Sequence, residues 1–151
     1  MLEEAEKGKT VMKKTNDVSK LVGVSKRTLQ YYDDLGLITV ERSRTNHRLY
    51  DQQAMEKLWQ ILIYKEMDFE LEEIKQLLPL SKSQKQQYLE QKKEDINEQI
   101  VRQRIQIAFI SLVQHEGMPS KPDDDSDQTY VSHINKMKNQ LQKVICGETS
   151  A

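Results

Sequence analysis

The sequence predicts a mainly α-helical protein, with a small folded head followed by a long solvent-exposed helix. Three observations predict this class. The 151-residue chain is 36% hydrophobic and 31% charged, which is too polar for one compact core of that length. Apolar residues recur at intervals of three and four along most of the chain. One of these periodic stretches continues from about residue 83 to about residue 116.

Two short helices are predicted at the beginning of the head. Apolar spacing indicates a helix from about Thr15, which Gly23 is placed to end. Ser25 is placed to cap a second helix that continues to about Leu35. Two short helices joined by a tight turn that contains glycine are typical of a helix-turn-helix.

A β-hairpin is predicted directly after this pair, with strands at about 38–42 and 47–50. Asn46 in its turn tolerates the left-handed backbone conformation. The hairpin is rich in basic side chains, namely Arg42, Arg44, His47 and Arg48. A solvated loop has no need of so many basic groups, whereas a wing that lies along a phosphate backbone does.

Two further helices complete the predicted head. Asp51 is placed to cap a third helix, whose apolar stripe includes Trp59, which we interpret as a core residue. A fourth helix follows at about 71–78 and is stopped by Pro79. The head is then four helices and one short hairpin, over residues 14–80.

A long helix is predicted over residues 81–117, and Ser83 with Gln86 fits a capping box near its start. Its apolar residues keep a spacing of three and four over nearly four heptads. So small a head cannot cover that stripe, and a second copy of the chain is the natural partner. We therefore predict a homodimer that forms through a coiled coil. The predicted interface residues are Leu89, Ile96, Ile100, Gln103, Ile107 and Ile110.

The rest of the chain is predicted to be an acidic linker at 118–127 and a short helix with a tail at 128–151. Gly117 and Pro119 mark the end of the long helix. The last helix is amphipathic. It either packs on the dimer, which we favour, or forms a small hydrophobic ligand site with the coiled coil.

Charge and cysteine content narrow the possible functions. The net charge is −1, but residues 13–50 hold eight Lys or Arg against four acids, a local excess that suits a nucleic-acid footprint. Cys146 is the single cysteine, which excludes an internal disulfide framework, an iron–sulfur cluster and a multi-thiolate metal site. No run of 18 apolar residues and no signal peptide is found, so we expect a cytoplasmic protein, with residues 1–13 a flexible extension.

The second helix carries the residues that point most directly to a function. At about 100° per residue, Leu29 and Tyr32 lie on one side of it, with the apolar anchors. The opposite side presents two cations, an amide and a phenol, from Lys26, Arg27, Gln30 and Tyr31. Arg and Lys reach phosphate or guanine, and Gln can read adenine, so this face suits a DNA recognition helix.

Three co-linear stretches are the most specific motifs of the sequence: VGVSKRTLQYYDDLGLI, RSRTNHRLY and MDFELEEIKQLL. Together they resemble the MerR family of bacterial transcription regulators. The family pattern is roughly a GVS-x-RTL-x-YYD core, a wing that ends in G-Y-R-x-Y, and a later LGFSLEEI element. The resemblance covers about residues 14–79, and beyond residue 80 it extends only to the type of helix.

The resemblance implies a winged helix-turn-helix head and an antiparallel coiled coil between two subunits. It also implies binding to a pseudo-palindromic promoter site, which in the family usually lies in an over-long spacer between promoter elements. The effector-bound dimer bends and untwists that DNA, so that RNA polymerase engages both elements. RNA polymerase would thus be a partner only indirectly, through promoter DNA. The sequence assigns no small-molecule effector.

The resemblance further implies roles for individual residues. The predicted DNA-binding residues are Lys26, Arg27, Gln30 and Tyr31 in or beside the major groove, Arg42, Arg44, His47, Arg48 and Tyr50 in the first wing, and Tyr64 and Lys65 in a second wing. Tyr32 is predicted chiefly to support the recognition helix, and its hydroxyl is one more candidate phosphate contact. Asn46 and His47 replace a usual Gly and Tyr. Asp68 and Glu70 replace a usual Gly and Ser, which we expect to weaken the cap of the fourth helix.

We therefore predict a dimeric, sequence-specific, nucleoid-associated DNA-binding regulator of transcription that is not an enzyme and needs no cofactor. The sequence has no Gly-rich phosphate loop, nucleophile elbow or metal-ligand spacing. We interpret His115, His133 and the acidic run at 123–127 as solvent-exposed rather than metal-binding. Two alternatives remain open: an architectural or excisionase-like DNA-binding factor, and a coiled-coil protein that binds a protein partner.

Overall fold

Six α-helices and three short β-strands make up the part of the chain that the structure, a computed structural model, describes, which is residues 12–149. The helices are α1 (Thr15–Val22), α2 (Lys26–Asp34), α3 (Gln52–Glu66), α4 (Leu71–Leu77), α5 (Lys82–Glu116) and α6 (Tyr130–Thr149). The strands are β1 (Lys13–Lys14), β2 (Glu41–Arg42) and β3 (Arg48–Tyr50). The chain divides into two compact units, with the boundary between Lys85 and Gln86.

The predicted helix-turn-helix is confirmed, and short-range hydrogen bonds explain its boundaries. Gly23 ends α1 in the left-handed conformation, at φ 83°, and its N–H donates to the Ser19 carbonyl at 2.9 Å. The Ser25 hydroxyl oxygen accepts from the Thr28 N–H at 3.0 Å, which caps α2. Each cap satisfies a backbone group that the helix leaves unpaired.

The sheet has the strand order β1-β3-β2, and both pairs are antiparallel. Lys13 is opposite Tyr50, and Arg42 is opposite Arg48. The sequence did not predict β1, because two residues are too few to show an alternating pattern. Pairing with β3 corrects the expectation of a flexible segment at Lys13, while residues 1–11 of that expected extension lie outside the described residues.

The wing is a tight hairpin between β2 and β3. The Ser43 N–H donates to the His47 carbonyl at 2.8 Å, and the Asn46 N–H donates to the Ser43 carbonyl at 2.9 Å. Asn46 has a φ of 63°, as predicted for this turn. The strand β2 is shorter than the predicted strand at about 38–42. Ile38 belongs to the core of the head instead of the sheet: it is 3% exposed, and its neighbour Leu37 is 2% exposed.

The core of the head takes residues from each of its helices. Side chains that are fully buried include Val18, Leu29, Leu58, Ile61, Ile74 and Leu77. Asp51 caps α3, because its Oδ1 accepts from the Ala54 N–H at 2.8 Å. Trp59, by contrast, is 66% exposed, so its interpretation as a core residue is wrong for the single chain. Leu58 and Ile61 define the buried face of α3, and Trp59 points about 100° away from Leu58.

The cap of α4 is present, against the expectation that Glu70 weakens it. The Glu73 carboxylate accepts a hydrogen bond from the Glu70 N–H at 3.3 Å, in a capping-box arrangement. Asp68 adopts the left-handed conformation, at φ 64°, in the turn before the helix. Aspartate tolerates this conformation, so the turn forms without the glycine that the resemblance led us to expect.

The helix α5 has 35 residues and begins slightly earlier than the predicted capping box suggested. Ser81 and Gln84 form that box: the Ser81 N–H donates to Gln84 Oε1 at 3.1 Å, and the Gln84 N–H donates to Ser81 Oγ at 3.3 Å. Ser83 and Gln86 therefore lie inside the first turns of the helix. Within residues 12–149, no helix combines the length and the apolar character that a membrane span requires.

Candidate nucleic-acid interface

The two sides of α2 differ in exposure, as the 100° step predicted. Leu29 and Tyr32 are buried, with 0% and 1% of their surfaces exposed. The opposite side is in solvent: Tyr31 is 53% exposed, and Lys26, Arg27 and Gln30 are also exposed. The adjacent tyrosines therefore have different surroundings, and one face of α2 offers two cations, an amide and a phenol to a partner.

A shallow cleft of about 290 Å³ brings α2 together with the wing. The residues that line it are Lys14, Thr15, Asn16, Lys26, His47 and Arg48. Three of these, Lys26, His47 and Arg48, were predicted from the sequence as members of one interface. The sequence analysis missed Lys14 and Asn16, although the basic pair just before α1 was a usable signal. Basic groups from three elements thus border one cleft, an arrangement that favours an anion.

Arg48 connects the wing to α2. Its Nε donates to Asp33 Oδ2 at 3.0 Å, and its Nη2 lies 4.0 Å from Asp34 Oδ1. The side chains of Arg48 and Asp33 are only 19% and 22% exposed, so solvent screens this ion pair less than a surface pair. The structure thus gives Arg48 a role in positioning the wing, with Asp33 as its partner.

Removing the Asp33 carboxylate is expected to weaken the head, because the partly buried guanidinium of Arg48 then loses its partner. We expect Asp33→Ala to lower the free energy of unfolding by about 1–3 kcal/mol. The matched control is Asp34→Ala, whose side chain is 60% exposed, and its effect should stay within about 0.5 kcal/mol. Urea unfolding followed by circular dichroism measures both. Equal effects of the two variants would contradict a special role for Asp33.

Two tyrosines predicted to contact DNA are inside the head instead. Tyr50 is 0% exposed, and its buried hydroxyl has no hydrogen-bond partner among the described residues. Tyr32 is 1% exposed and packs with the core side chains of α2. Neither side chain is exposed enough to reach a DNA groove in this structure. The burial of Tyr32 agrees with its predicted supporting role, and the assignments that change are Tyr50 and the Tyr32 hydroxyl as DNA contacts.

The tip of the wing is exposed and basic. Arg42, Arg44 and His47 all lie in solvent. Arg42 Nη1 donates to the Asn46 carbonyl at 3.1 Å, which helps to hold the turn and leaves other guanidinium N–H groups for a ligand. The wing therefore presents basic side chains on a turn that backbone hydrogen bonds of Ser43 close.

The residues of the predicted second wing lie at the end of α3 and are not among those that line the cleft. Tyr64 is half-buried, with its ring edge-to-face against Phe69 at a centroid distance of 5.9 Å. Lys65 is exposed. The structure thus gives Tyr64 a packing role at this turn, and Lys65 is the side chain of the pair that extends into solvent.

In the second unit, α5 has an exposed apolar stripe. Ile96 and Ile100 are 38% and 40% exposed, and Ile107 and Ile110 are 63% and 58% exposed. Ile105, which is buried, lies about 160° from Ile107 on the helical wheel. The stripe, completed by half-buried Leu89 and exposed Gln103, therefore lies on the side of α5 opposite the one that the chain itself covers.

Comparison with protein families and curated proteins gives a consistent result. The profile of the family described as "MerR HTH family regulatory protein" matches residues 14–81. The transcriptional activator mta of Bacillus subtilis is 32% identical over 138 residues, which cover 80% of this chain and 52% of mta. The transcriptional activator TipA of Streptomyces coelicolor is 45% identical over 62 residues, which cover 40% of this chain and 24% of TipA. The chain thus spans about half or less of the length of these curated relatives.

A solved structure supports the fold. The crystal structure of MtaN, the N-terminus of the Bacillus subtilis multidrug transporter activator, is 30% identical and superposes with a TM-score of 0.64. The match covers 69% of this chain and 99% of MtaN. The predicted fold class is therefore confirmed. The relatives are transcription activators, in agreement with the prediction that the chain is not an enzyme.

Proposed function

This chain belongs to the MerR family, and on that premise we propose that it regulates transcription by binding promoter DNA as a homodimer. The observation that carries the proposal is the exposed face of α2 beside a basic cleft that α2 shares with the wing. Helix and wing together offer side chains for base edges and for phosphates, which are the two kinds of contact that a sequence-specific protein needs.

The recognition helix supplies the base contacts of this proposal. Arg27 and Lys26 can donate to guanine or to phosphate, and Gln30 can pair with the edge of adenine. Tyr31, with 53% of its surface exposed, adds a phenol that can pack against sugar or donate to phosphate. Because Leu29 and Tyr32 are buried, this side of the helix is held against the core, and the opposite side is the one that can face DNA.

The phosphate contacts of the proposal come mainly from the wing and the cleft. Arg42, Arg44 and His47 lie in solvent on the wing, and Lys14 adds a charge at the cleft. Lys65 is proposed as a further contact from the end of α3, beside Tyr64. Phosphate neutralisation releases counterions, so each contact adds affinity and steepens the dependence of binding on salt.

The homodimer of the proposal forms through the exposed stripe of α5. Heptad spacing over Leu89, Ile96, Ile100, Gln103 and Ile107 is that of a coiled-coil seam, and we propose the antiparallel arrangement. Gln103 is a polar residue at a seam position, where it restricts the register. The corresponding organisation is a DNA-binding head at 14–80, a coiled-coil helix at 81–117, a linker at 118–127 and a C-terminal part at 128–151.

Two heads on one dimer suit a pseudo-palindromic site, because the symmetry of the protein is matched by that of the DNA. We propose that this site lies in a long promoter spacer, and that binding bends and untwists it. The binding energy of two heads offsets a deformation cost of about 1–6 kcal/mol. RNA polymerase then senses the regulator through the shape of the promoter, in the bacterial cytoplasm at the nucleoid.

Footprinting on the DNA beside the gene tests this function. We expect protection of an inverted repeat within a promoter spacer, and an affinity that falls steeply as salt rises. A protected site far from any promoter would favour an architectural factor instead. Equal affinity for all DNA would contradict both DNA-binding functions and would favour a coiled-coil protein that binds a protein partner.

Replacing Arg27 with alanine is expected to weaken operator binding by about 1–3 kcal/mol, which is roughly 5- to 150-fold. Arg27 is exposed, so the thermal melting curve should not change. The control is Lys136→Ala, which removes the same charge from an exposed position on α6. Fluorescence anisotropy with labelled operator measures both variants. Unchanged affinity of the Arg27 variant would show that the exposed face of α2 is not the reading face.

A further inference from the structure

The second unit contains an open apolar groove of about 480 Å³, a volume within the range of small-molecule sites. Its walls come from the end of α5, from the loop that follows, and from the first turns of α6. The apolar side chains of the lining include Phe109, Val113, Met118, Tyr130, Ile134 and Met137. Met118, Tyr130 and Ile134 remain 79%, 54% and 45% exposed. Covering them would therefore remove a large apolar area from water.

The charged side chains of the lining are both cations. Lys121 and Lys138 line the groove beside His133, and no carboxylate is among its lining residues. The nearby acids are in the loop at 123–127, outside the lining. Lys121 Nζ lies 3.5 Å from Asp124 Oδ1, but these side chains are 63% and 89% exposed, so the ion pair is weak and can be displaced. The groove thus favours a neutral or anionic group over a cation.

Hydrogen bonds within the second unit hold the walls of the groove in place. The Thr129 hydroxyl caps α6 by accepting from the Ser132 N–H at 3.0 Å. His133 Nδ1 is 3.0 Å from Gln128 Oε1, which orients the imidazole ring. When Nδ1 donates to this amide oxygen, Nε2 is left for another partner. These internal hydrogen bonds hold the start of α6 and the end of the loop against each other, so the protein itself defines this wall of the groove.

The groove is distinct from the stripe that we assign to the second copy of the chain. Phe109 and Ile107 point about 160° apart on α5, so the coiled coil does not need the side of the helix that lines the groove. Val113 lies about 60° from Ile110, at the edge of the proposed seam, whereas Phe109 lies on the side of α5 that lines the groove.

We infer that the groove binds a compact hydrophobic anion, such as an aromatic or medium-chain aliphatic carboxylate. The apolar body of the ligand packs against Met118, Ile134 and Met137, and the carboxylate lies toward Lys138 and His133. Apolar walls with a few polar groups that fix orientation are the general composition of small-molecule sites. The inference does not depend on DNA binding, because it concerns the second unit alone.

The test is a fluorescence titration of the full chain with anilinonaphthalene sulfonate, a hydrophobic anion that becomes bright in apolar sites. We expect saturable binding at one site per chain, displacement by octanoate, and no displacement by the hydrophobic cation tetraphenylphosphonium at equal concentration. Circular dichroism at each step verifies that the chain stays folded. Absent or non-saturable binding, or equal displacement by the cation, would overturn the inference.

Variants on one helix locate the probe. Ile134→Glu places a carboxylate in the groove and is expected to weaken binding of the probe about tenfold or more. The control is Val131→Glu, at a residue of α6 that is 67% exposed and outside the lining, and this variant should bind the probe unchanged. Lys138→Glu should weaken binding more than Lys136→Glu. If Ile134→Glu binds the probe like the original chain, the groove is not the site. If it alters only the oligomeric state, a second copy covers the groove and the inference fails.

Discussion

Tyr32→Ala is expected to lower the free energy of unfolding of the head by about 3–5 kcal/mol. The side chain is 1% exposed and is one of the largest fully buried groups in the described part of the chain. Truncation leaves a cavity beside Leu29, at the point where α2 is held against the rest of the head. For a head of this size, such a loss is a large part of the total stability.

The adjacent residue provides the control for this prediction. Tyr31→Ala removes a ring that is 53% exposed, and the free energy of unfolding should change by no more than about 0.5 kcal/mol. Trp59 is the single tryptophan and lies in the head, so its fluorescence in urea reports on the unfolding of that unit. Operator binding should show the opposite order of effects. At a temperature where both variants are folded, Tyr31→Ala should weaken operator binding more than Tyr32→Ala. Equal stabilities of the two variants would contradict the assignment of Tyr32 as the supporting ring.

The tyrosine pair shows what the sequence can predict. Exposure along α2 follows from a helical step of about 100°, which needs only the start of the helix and its apolar residues. The caps at Gly23, Ser25 and Asp51 were predictable for the same reason, because each depends on residues three or four positions away. Local rules of this kind account for the helices of the head and for the exposed face of α2.

Other features of the candidate site depend on contacts between distant parts of the chain. Arg48 and Asp33 are 15 residues apart, and nothing in the local sequence indicates that the wing folds back onto α2 there. Lys14 reaches the cleft because β1 pairs with β3, and Tyr50 is buried at the same pairing. The motif match led to the prediction that Tyr50 contacts DNA. A motif gives the residue type at each position but does not show whether the side chain is exposed to solvent.

Trp59 is the clearest case of a residue whose surroundings the sequence did not predict. A large aromatic group on an apolar stripe is usually in a core, yet this one is 66% exposed. The stripe of α3 is wider than the face that the head can cover, and the edge of the stripe is left in solvent. The same reasoning applied to α5 led to the prediction of a dimer, since there, too, the chain lacks enough surface of its own to cover an apolar face.

Ile107→Glu is expected to convert the proposed dimer to monomers. The side chain is 63% exposed in the single chain, so the substitution should leave the fold of each chain intact. In the dimer, two isoleucines lose their burial, which costs about 3–6 kcal/mol and raises the dissociation constant roughly 150- to 20,000-fold. The buried carboxylates add to this loss. Sedimentation equilibrium at several concentrations measures the dissociation constant.

The neighbouring residue supplies a matched control, because Gln106→Glu adds the same charge about 100° away from Ile107 on α5. This control should remain a dimer. Operator affinity should fall for Ile107→Glu alone, since a monomer reaches one half-site and loses the contribution of the second head. If a monomeric variant kept full operator affinity, dimerisation would not be needed for DNA recognition. The proposal of two heads on a pseudo-palindromic site would then be wrong, and a single head would bind the operator. A dimer that survived Ile107→Glu would instead show that another surface joins the subunits.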